Sequence, residues 1–372
     1  MDRHEVLLGA EMIGGLVRAW DNLLGIGEAA VTVPPLDGAL RPNRKLDEAP
    51  SRVPLEDVDC LAVVSDELLA SSGKAIHVLE GSTWRKRDEY ESEVVCIAPM
   101  GDGGLAVALS TGDVLVEGGD FDGRRYRAAP DAGCITALAA DGSTLYVANG
   151  SATNPPDGWQ LDLLQRNASG SIWHIDLDSG SSTRLVGDLA YPSGLVVDGP
   201  SLVFSEAWKH RLVRIDASGK DAPQILYSDL PAYPGRISPA KEGYWLSAFA
   251  PRCQLVELVL REPGYRKRMV AEVARPYWIA PKLRAGRSFY EPLQGGGVKQ
   301  LGLLKPWAPT MSAGLCIRLD IGFQPILSLH SRADGATHGV TSTTEYRGDV
   351  YAAARGEGVV VSVPMDDLGG EE

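Results

Sequence analysis

Four residues offer chemistry that can be read from side-chain type and near neighbours: Asp59, Glu206, Arg236 and His338. His338 stands in a Gly-rich turn, Gly335-Ala336-Thr337-His338-Gly339, just before an apolar run. An imidazole has an ordinary pKa near neutrality, so it can take and return a proton as a general acid or base. Arg236 is a permanent cation able to stabilise negative charge developing on oxygen. Glu206 ends the run Leu202-Val203-Phe204-Ser205 and can orient a substrate or an imidazole. Asp59 opens the run Asp59-Cys60-Leu61-Ala62 and can pair with an arginine. Each has a structural alternative. A histidine in such a turn often bonds only to backbone, a carboxylate at a strand end often caps a turn, and Asp59 and Arg236 can each bond separately to main chain. Signatures of better-known chemistry are missing. The five cysteines form no CxxC, there is no GxSxG or HExxH, and Gly295-Gly296-Gly297 lacks the Lys-Ser/Thr of a phosphate loop. Gly25-Ile26-Gly27-Glu28-Ala29-Ala30 has dinucleotide-fingerprint spacing but follows a helical pattern rather than a strand.

The elements that must position these residues are strands. Leu189 to Asp216 contains the turn Tyr191-Pro192-Ser193-Gly194, an apolar run to Val197, the hairpin signal Asp198-Gly199, a second run from Ser201 to Ser205, and an alternating run from Arg211 to Ile215. A weaker copy follows at Tyr233-Pro234-Gly235-Arg236-Ile237 and Gly243 to Ala248. Asp59-Cys60-Leu61-Ala62, Val95-Cys96-Ile97-Ala98 and Gly133-Cys134-Ile135-Thr136 recur at spacings of 36 and 38 residues. Repeats of that length suggest propeller blades, with cysteine as a small buried hydrophobe at an equivalent strand position. The chain then divides into an N-terminal helix and extended arm (1–54), a six-bladed β-propeller (55–366) and an acidic tail (367–372). Blade three carries an insertion at about 151–169 and blade five a longer one at about 251–313. The last blade has three strands in sequence, so the arm is expected to supply its fourth and close the ring. Residues 5 to 24 place Leu7, Leu8, Met12, Ile13, Leu16, Val17, Trp20, Leu23 and Leu24 at helical spacing.

Composition restricts the function classes. A net charge of −13 argues against a nucleic-acid partner, and no apolar run reaches transmembrane length. The start Met-Asp-Arg-His-Glu lacks a basic region followed by an apolar core, so a cytoplasmic location is expected, with a processed exported form left open.

Leu163-Leu164-Gln165-Arg166-Asn167-Ala168-Ser169-Gly170-Ser171 leading into a strand, Tyr191 to Ile215, and Leu327-Ser328-Leu329-His330 followed by Val340-Thr341-Ser342 and Tyr351 together resemble the strictosidine synthase-like propellers, relatives of the gluconolactonase, senescence marker and paraoxonase families. The resemblance implies an all-β six-bladed fold with its site at the mouth of the central channel. Metal-dependent relatives hold calcium there with Glu, Asn and Asp oxygens. Here Asp59 stands at the Glu position, Cys134 or Ile135 and Ser193 at Asn positions, and Gly235-Arg236 at the Asp-Asn position, so no metal and no cofactor is expected. The catalytic Glu of strictosidine synthase falls near His338 to Thr341, where nothing is acidic, so its condensation reaction is the weakest reading.

The resemblance also places Asp59 and Arg236 across the channel mouth, as a pair in the vacated metal site. Glu206 and Asn149, at second-strand ends, lie on that face. Ser193, Trp208 and His210 adjoin them, and the blade-five insertion supplies Trp278 and Tyr290 as a substrate lid or a packing cap. The expected function is a metal-independent enzyme acting on a small polar metabolite by lactone hydrolysis or cyclisation, with His338, Glu206, Arg236 and Asp59 catalytic. The alternative is a non-catalytic ligand-binding or scaffold propeller. The oligomeric state stays open.

Overall fold

The stretch from Leu189 to Asp216 folds into the antiparallel strands Pro192–Asp198, Ser201–Glu206 and Arg211–Asp216, and Gln224–Tyr227 adds an outer fourth. Register sets Val196 opposite Val203 and Phe204 opposite Val213. Neighbouring blades cover both faces of the middle strand, so Leu202, Val203 and Phe204 are all fully buried. Each such side chain contributes roughly 1.5–3 kcal/mol by leaving water. The structure is a computed structural model that describes residues 33–284, 299–300, 303–304 and 311–368. Six four-stranded sheets of this kind follow one another, making a six-bladed β-propeller.

The inner strands are Val58–Val64, Val94–Pro99, Ile135–Asp141, Pro192–Asp198, Ala232–Pro239 and Val340–Tyr346. The last blade takes its fourth strand from Ser51–Pro54, which pairs with Val359–Pro364 from Ser51↔Ser362 to Pro54↔Val359. The arm before it is fastened by polar contacts. Asp47 accepts from the Ser331 hydroxyl at 2.7 Å and from the Ala336 backbone N–H at 3.0 Å, and Arg52 donates to the Thr337 hydroxyl at 2.7 Å. Leu40 and Leu46 bury against blades five and six. The closing seam packs Val58, Leu61 and Leu68 against Tyr346, Ala353 and Val360.

Both insertions lie between the second and third strands of their blades. Blade three carries α1 (Trp159–Gln165), ended by Arg166 in the left-handed conformation. Blade five carries α2 (Gln254–Arg261) and α3 (Pro263–Glu272), helices that repeat-scale reading of the sequence does not reveal. Leu164, Val259, Met269, Trp278 and Ala280 form a shared apolar core between the insertions. The Gln160 amide donates to the Pro281 carbonyl at 2.8 Å. The expected helix at 5–24, Tyr290 and the end of the acidic tail (369–372) lie outside the described residues.

Candidate functional site

Every inner strand breaks register near its start: between Val58 and Leu61, Val94 and Cys96, Ile135 and Ala137, Pro192 and Gly194, Pro234 and Ile237, and Val340 and Ser342. A β-bulge re-aims a side chain and releases backbone groups from the ladder. The skipped positions include Asp59, Val95, Thr136, Ser193, Gly235, Arg236 and Thr341, and these seven line one cavity of about 320 Å³ at the channel mouth. The released carbonyls are answered by neighbouring blades. Thr136 Oγ1 donates to Pro192 O at 2.6 Å, Ser193 Oγ to Pro234 O at 2.6 Å, and Thr341 Oγ1 to Asp59 O at 2.7 Å. The sheets thus build a ring of six bulges, sewn blade to blade.

Arg236 reaches across this ring. Its Nη1 donates to Asp59 Oδ1 at 2.9 Å, to Asp59 O at 3.1 Å and to Thr341 O at 3.2 Å; its Nη2 donates to Asp59 Oδ2 at 3.2 Å and to Val95 O at 2.6 Å. One guanidinium from blade five therefore holds blades one, two and six. Arg355 approaches the same carboxylate, with Nη1 at 3.1 Å from Asp59 Oδ2. Burial alone would push the Asp59 carboxyl up, but Arg236 and Arg355 together outweigh it and hold the group below the ordinary carboxylate range. Burial opposes the charge on Arg236 as well, and Asp59 overcomes it. Behind the pair, the Cys60 and Cys96 sulfurs lie 3.8 Å apart, and the Cys60 thiol donates to the Ile97 carbonyl at 3.4 Å.

The rest of the cavity is aromatic and apolar within, charged at the rim. Tyr191, Phe249 and Trp159 form one wall, with Val94, Ile135 and Leu283 completing it; Asp57, Glu93, Asp157 and Arg275 stand further out. A second space of about 550 Å³ adjoins it, sharing Asp57, Trp159, Arg275, Leu283 and Arg355. Trp159 comes from the blade-three insertion and Leu283 from blade five, so both insertions wall the mouth. A Cβ built on Gly356 would lie 1.8 Å from the Leu283 carbonyl oxygen, so only glycine allows that strap to seat.

Several expected site residues are elsewhere. His338 is fully buried and does not line the cavity. Its Nε2 lies 2.8 Å from the Arg332 carbonyl and its Nδ1 2.9 Å from the Ser312 hydroxyl, so the network assigns the proton to Nε2 and spends both ring nitrogens. Glu206 is likewise sealed. Its Oε1 accepts from the Ala190 N–H at 2.8 Å and from Lys209 Nζ at 2.9 Å, and its Oε2 from Arg211 Nη2 at 2.5 Å. Asn149 caps the inner strand of blade three, accepting from the Cys134 N–H at 2.9 Å. His210 donates to the Ala232 carbonyl, and burial, with help from Arg252, holds it neutral at about 3. Trp208 stacks on Tyr191 at 4.4 Å and donates to Asp162 at 2.7 Å beneath the blade-three insertion. Trp278 belongs to the insertion core. Asp59, Arg236 and Ser193 do line the cavity. Sequence reading missed Arg355, Trp159 and Leu283. Arg355 directly follows a second inner-blade strand, Asp349–Ala354, the rule that singled out Asn149 and Glu206, so one signal for it was available.

No protein-family model matches the chain, and no curated protein matches it significantly. Solved structures do. A calcium-binding protein, regucalcin, from Agrobacterium tumefaciens str. C58 is similar at a TM-score of 0.51 with 13% identity, covering 89% of this chain and 95% of that one. A nidogen/laminin complex gives a TM-score of 0.41 with 14% identity over 52% of this chain and 73% of that one. The first likeness shows the fold, a six-bladed propeller, and nothing finer. The residues at this mouth do not fit a calcium ion. Both Asp59 oxygens are taken by guanidinium groups, and the bulge carbonyls of Asp59, Val95 and Thr341 accept from Arg236. Among the described residues no three His, Cys, Asp or Glu side chains gather as a metal-ligand set.

Proposed function

We propose that the chain is a strictosidine synthase-like propeller that binds a small polar metabolite at its covered channel mouth, around a guanidinium–carboxylate centre that stands in place of a metal ion. The observation that carries this reading is the Asp59–Arg236 pair at the floor of a cavity of about 320 Å³, with Arg355 on the same carboxylate. That volume is at the small end for ligand pockets, and a few polar groups set among apolar walls are what such pockets present. The site is better equipped to hold than to turn over. His338 and Glu206 are engaged elsewhere, and Asp59, doubly paired, is a weak base.

A second reading keeps lactone opening or closure. It is favoured by Arg355, a part-exposed guanidinium lining the cavity that could stabilise negative charge developing on a substrate oxygen. The proton would then travel through water rather than through His338. One experiment separates the two. Sugar lactones and aryl lactones, with their ring-opened acids, are titrated calorimetrically in chelator and assayed for turnover. Saturable binding without turnover supports the binding reading, turnover lost in Arg355→Ala supports the second, and absence of both removes the mouth as a functional site.

A further inference from the structure

The charges around Asp59 do not balance. One carboxylate faces two guanidinium groups, Arg236 at 2.9 Å and Arg355 at 3.1 Å. The Cys60 thiol, drawn down to about 7 chiefly by its hydrogen bond with Cys96, adds only part of a negative charge at neutral pH. Asp57 and Glu93 stand exposed at the rim and Glu56 and Glu357 line the outer cavity, and none of the four forms an ion pair with Arg355; Arg275 has its own partner in Asp157 at 3.8 Å. Asp59 and Cys60 together therefore do not cancel the two guanidinium groups, and the cluster keeps a positive excess. Arg236 has its terminal nitrogens bonded to Asp59 and to bulge carbonyls. The excess is presented by Arg355, whose side chain is 41% exposed and lines both the inner and the outer cavity. Asp59 fixes one end of its guanidinium, which leaves the other N–H groups without a partner among the described residues. A planar, pre-oriented fork of that kind matches a carboxylate. Beside it the wall is aromatic: Trp159, Tyr191 and Phe249.

We propose that the ligand of this cavity is a small monocarboxylate whose carboxylate docks on Arg355 and whose ring or apolar body lies against Trp159, Tyr191 and Phe249. The proposal rests on the reading of the mouth as a ligand site and adds the ligand's charge and orientation. Binding would complete the neutralisation of the Asp59–Arg236–Arg355 cluster, so an anion is favoured over a neutral isostere and strongly over a cation.

Calorimetry on the full chain tests this with matched probes: D-gluconate against D-gluconamide, and 4-hydroxyphenylacetate against 4-hydroxyphenylacetamide. At least one acid is expected to bind about 10- to 100-fold more tightly than its amide, the range of a hydrogen bond to a charged group. In Arg355→Leu this preference should vanish. In Arg355→Lys, which keeps a point charge without the fork, part of it should remain, and circular dichroism shows whether either variant is folded. The aryl pair binding better than the sugar pair, or the reverse, identifies which body the aromatic wall takes. An amide that binds as well as its acid would overturn the carboxylate proposal and leave the ligand site standing. Silence of all four probes at millimolar concentration would overturn both.

Discussion

Arg236 and Asp59, 177 residues apart in sequence, meet across the channel with Nη1 2.9 Å from Oδ1 and Nη2 3.2 Å from Oδ2. Their side chains are only 14% and 12% exposed. Removing one partner of such a pair leaves the other charged and uncompensated, which typically costs about 3–5 kcal/mol. Asp59→Ala is expected to lose stability on that scale, and Arg355 loses its ion-pair partner with it. The double change with Arg236→Met should recover part of the loss. Urea unfolding of the four proteins in a double-mutant cycle measures the coupling, and a coupling near zero would show that the pair is not holding the mouth.

Acid stability should depend on two histidines away from the cavity. Burial, reinforced by Arg252, depresses His210 to about 3; burial and Arg332 depress His330 to about 4. The unfolded chain takes up these protons from the ordinary value of 6.5 downward, while the folded chain does not. Their contribution is complete above about 6.5 and is lost as pH falls towards 4 and then 3, on the order of 8 kcal/mol in total. Asp59, with its folded pKa below 3.8, contributes above that value and loses its share only at still lower pH. Urea midpoints between pH 7.5 and 4.5 should fall, and should fall less in His210→Gln combined with His330→Gln. An equal slope in that double variant would contradict the assignment.

Much of this architecture was legible in the sequence, and the reason is physical. Blades are local, so the hairpin at Asp198-Gly199 and the run Leu202 to Phe204 announce their own strands, and a three-strand last blade demands a partner such as Ser51–Pro54. The Asp59–Arg236 pair was reachable because the family resemblance sets both residues at inner-strand starts around the channel mouth. The bulges were not reachable, because a register break is a relation between two strands and leaves no residue-type signature at Val95 or Thr136. Nor was the fate of His338 and Glu206. A polar residue at a strand end looks the same whether it faces the channel or bonds Ser312 or Arg211, and only packing decides.

The ring closure can be tested by removing the arm. A chain beginning at Leu55 loses the strand that covers Val359–Pro364 and the Asp47 and Arg52 contacts with the 331–337 loop. The uncovered edge is expected to pair with other copies. Size exclusion should show aggregates, and thermal unfolding a strongly lowered melting temperature. A monomer that melts like the full chain would contradict closure by residues 51–54.

Gly356 offers a test of how the backbone at Leu283 is seated. Its backbone is in ordinary space, so Gly356→Ala strains nothing by itself, but the new methyl would overlap the Leu283 carbonyl. Displacing Leu283 is expected to cost about 1–3 kcal/mol, as overpacking typically does. It should also weaken whatever binds in the cavity that Leu283 walls. Thermal unfolding and titration of one bound probe check both effects, and an unchanged variant would mean that the strap is not fixed there.

The central claim is that a guanidinium, not a metal ion, neutralises Asp59 at the channel mouth. Elemental analysis of the purified full chain, followed by melting with and without a chelator and by calcium titration of the chelated protein, tests it most directly. The account predicts no stoichiometric divalent ion, the same melting temperature in chelator, and no saturable heat of calcium binding. One tightly held calcium per chain, whose removal lowers the melting temperature and whose return restores it, would contradict it.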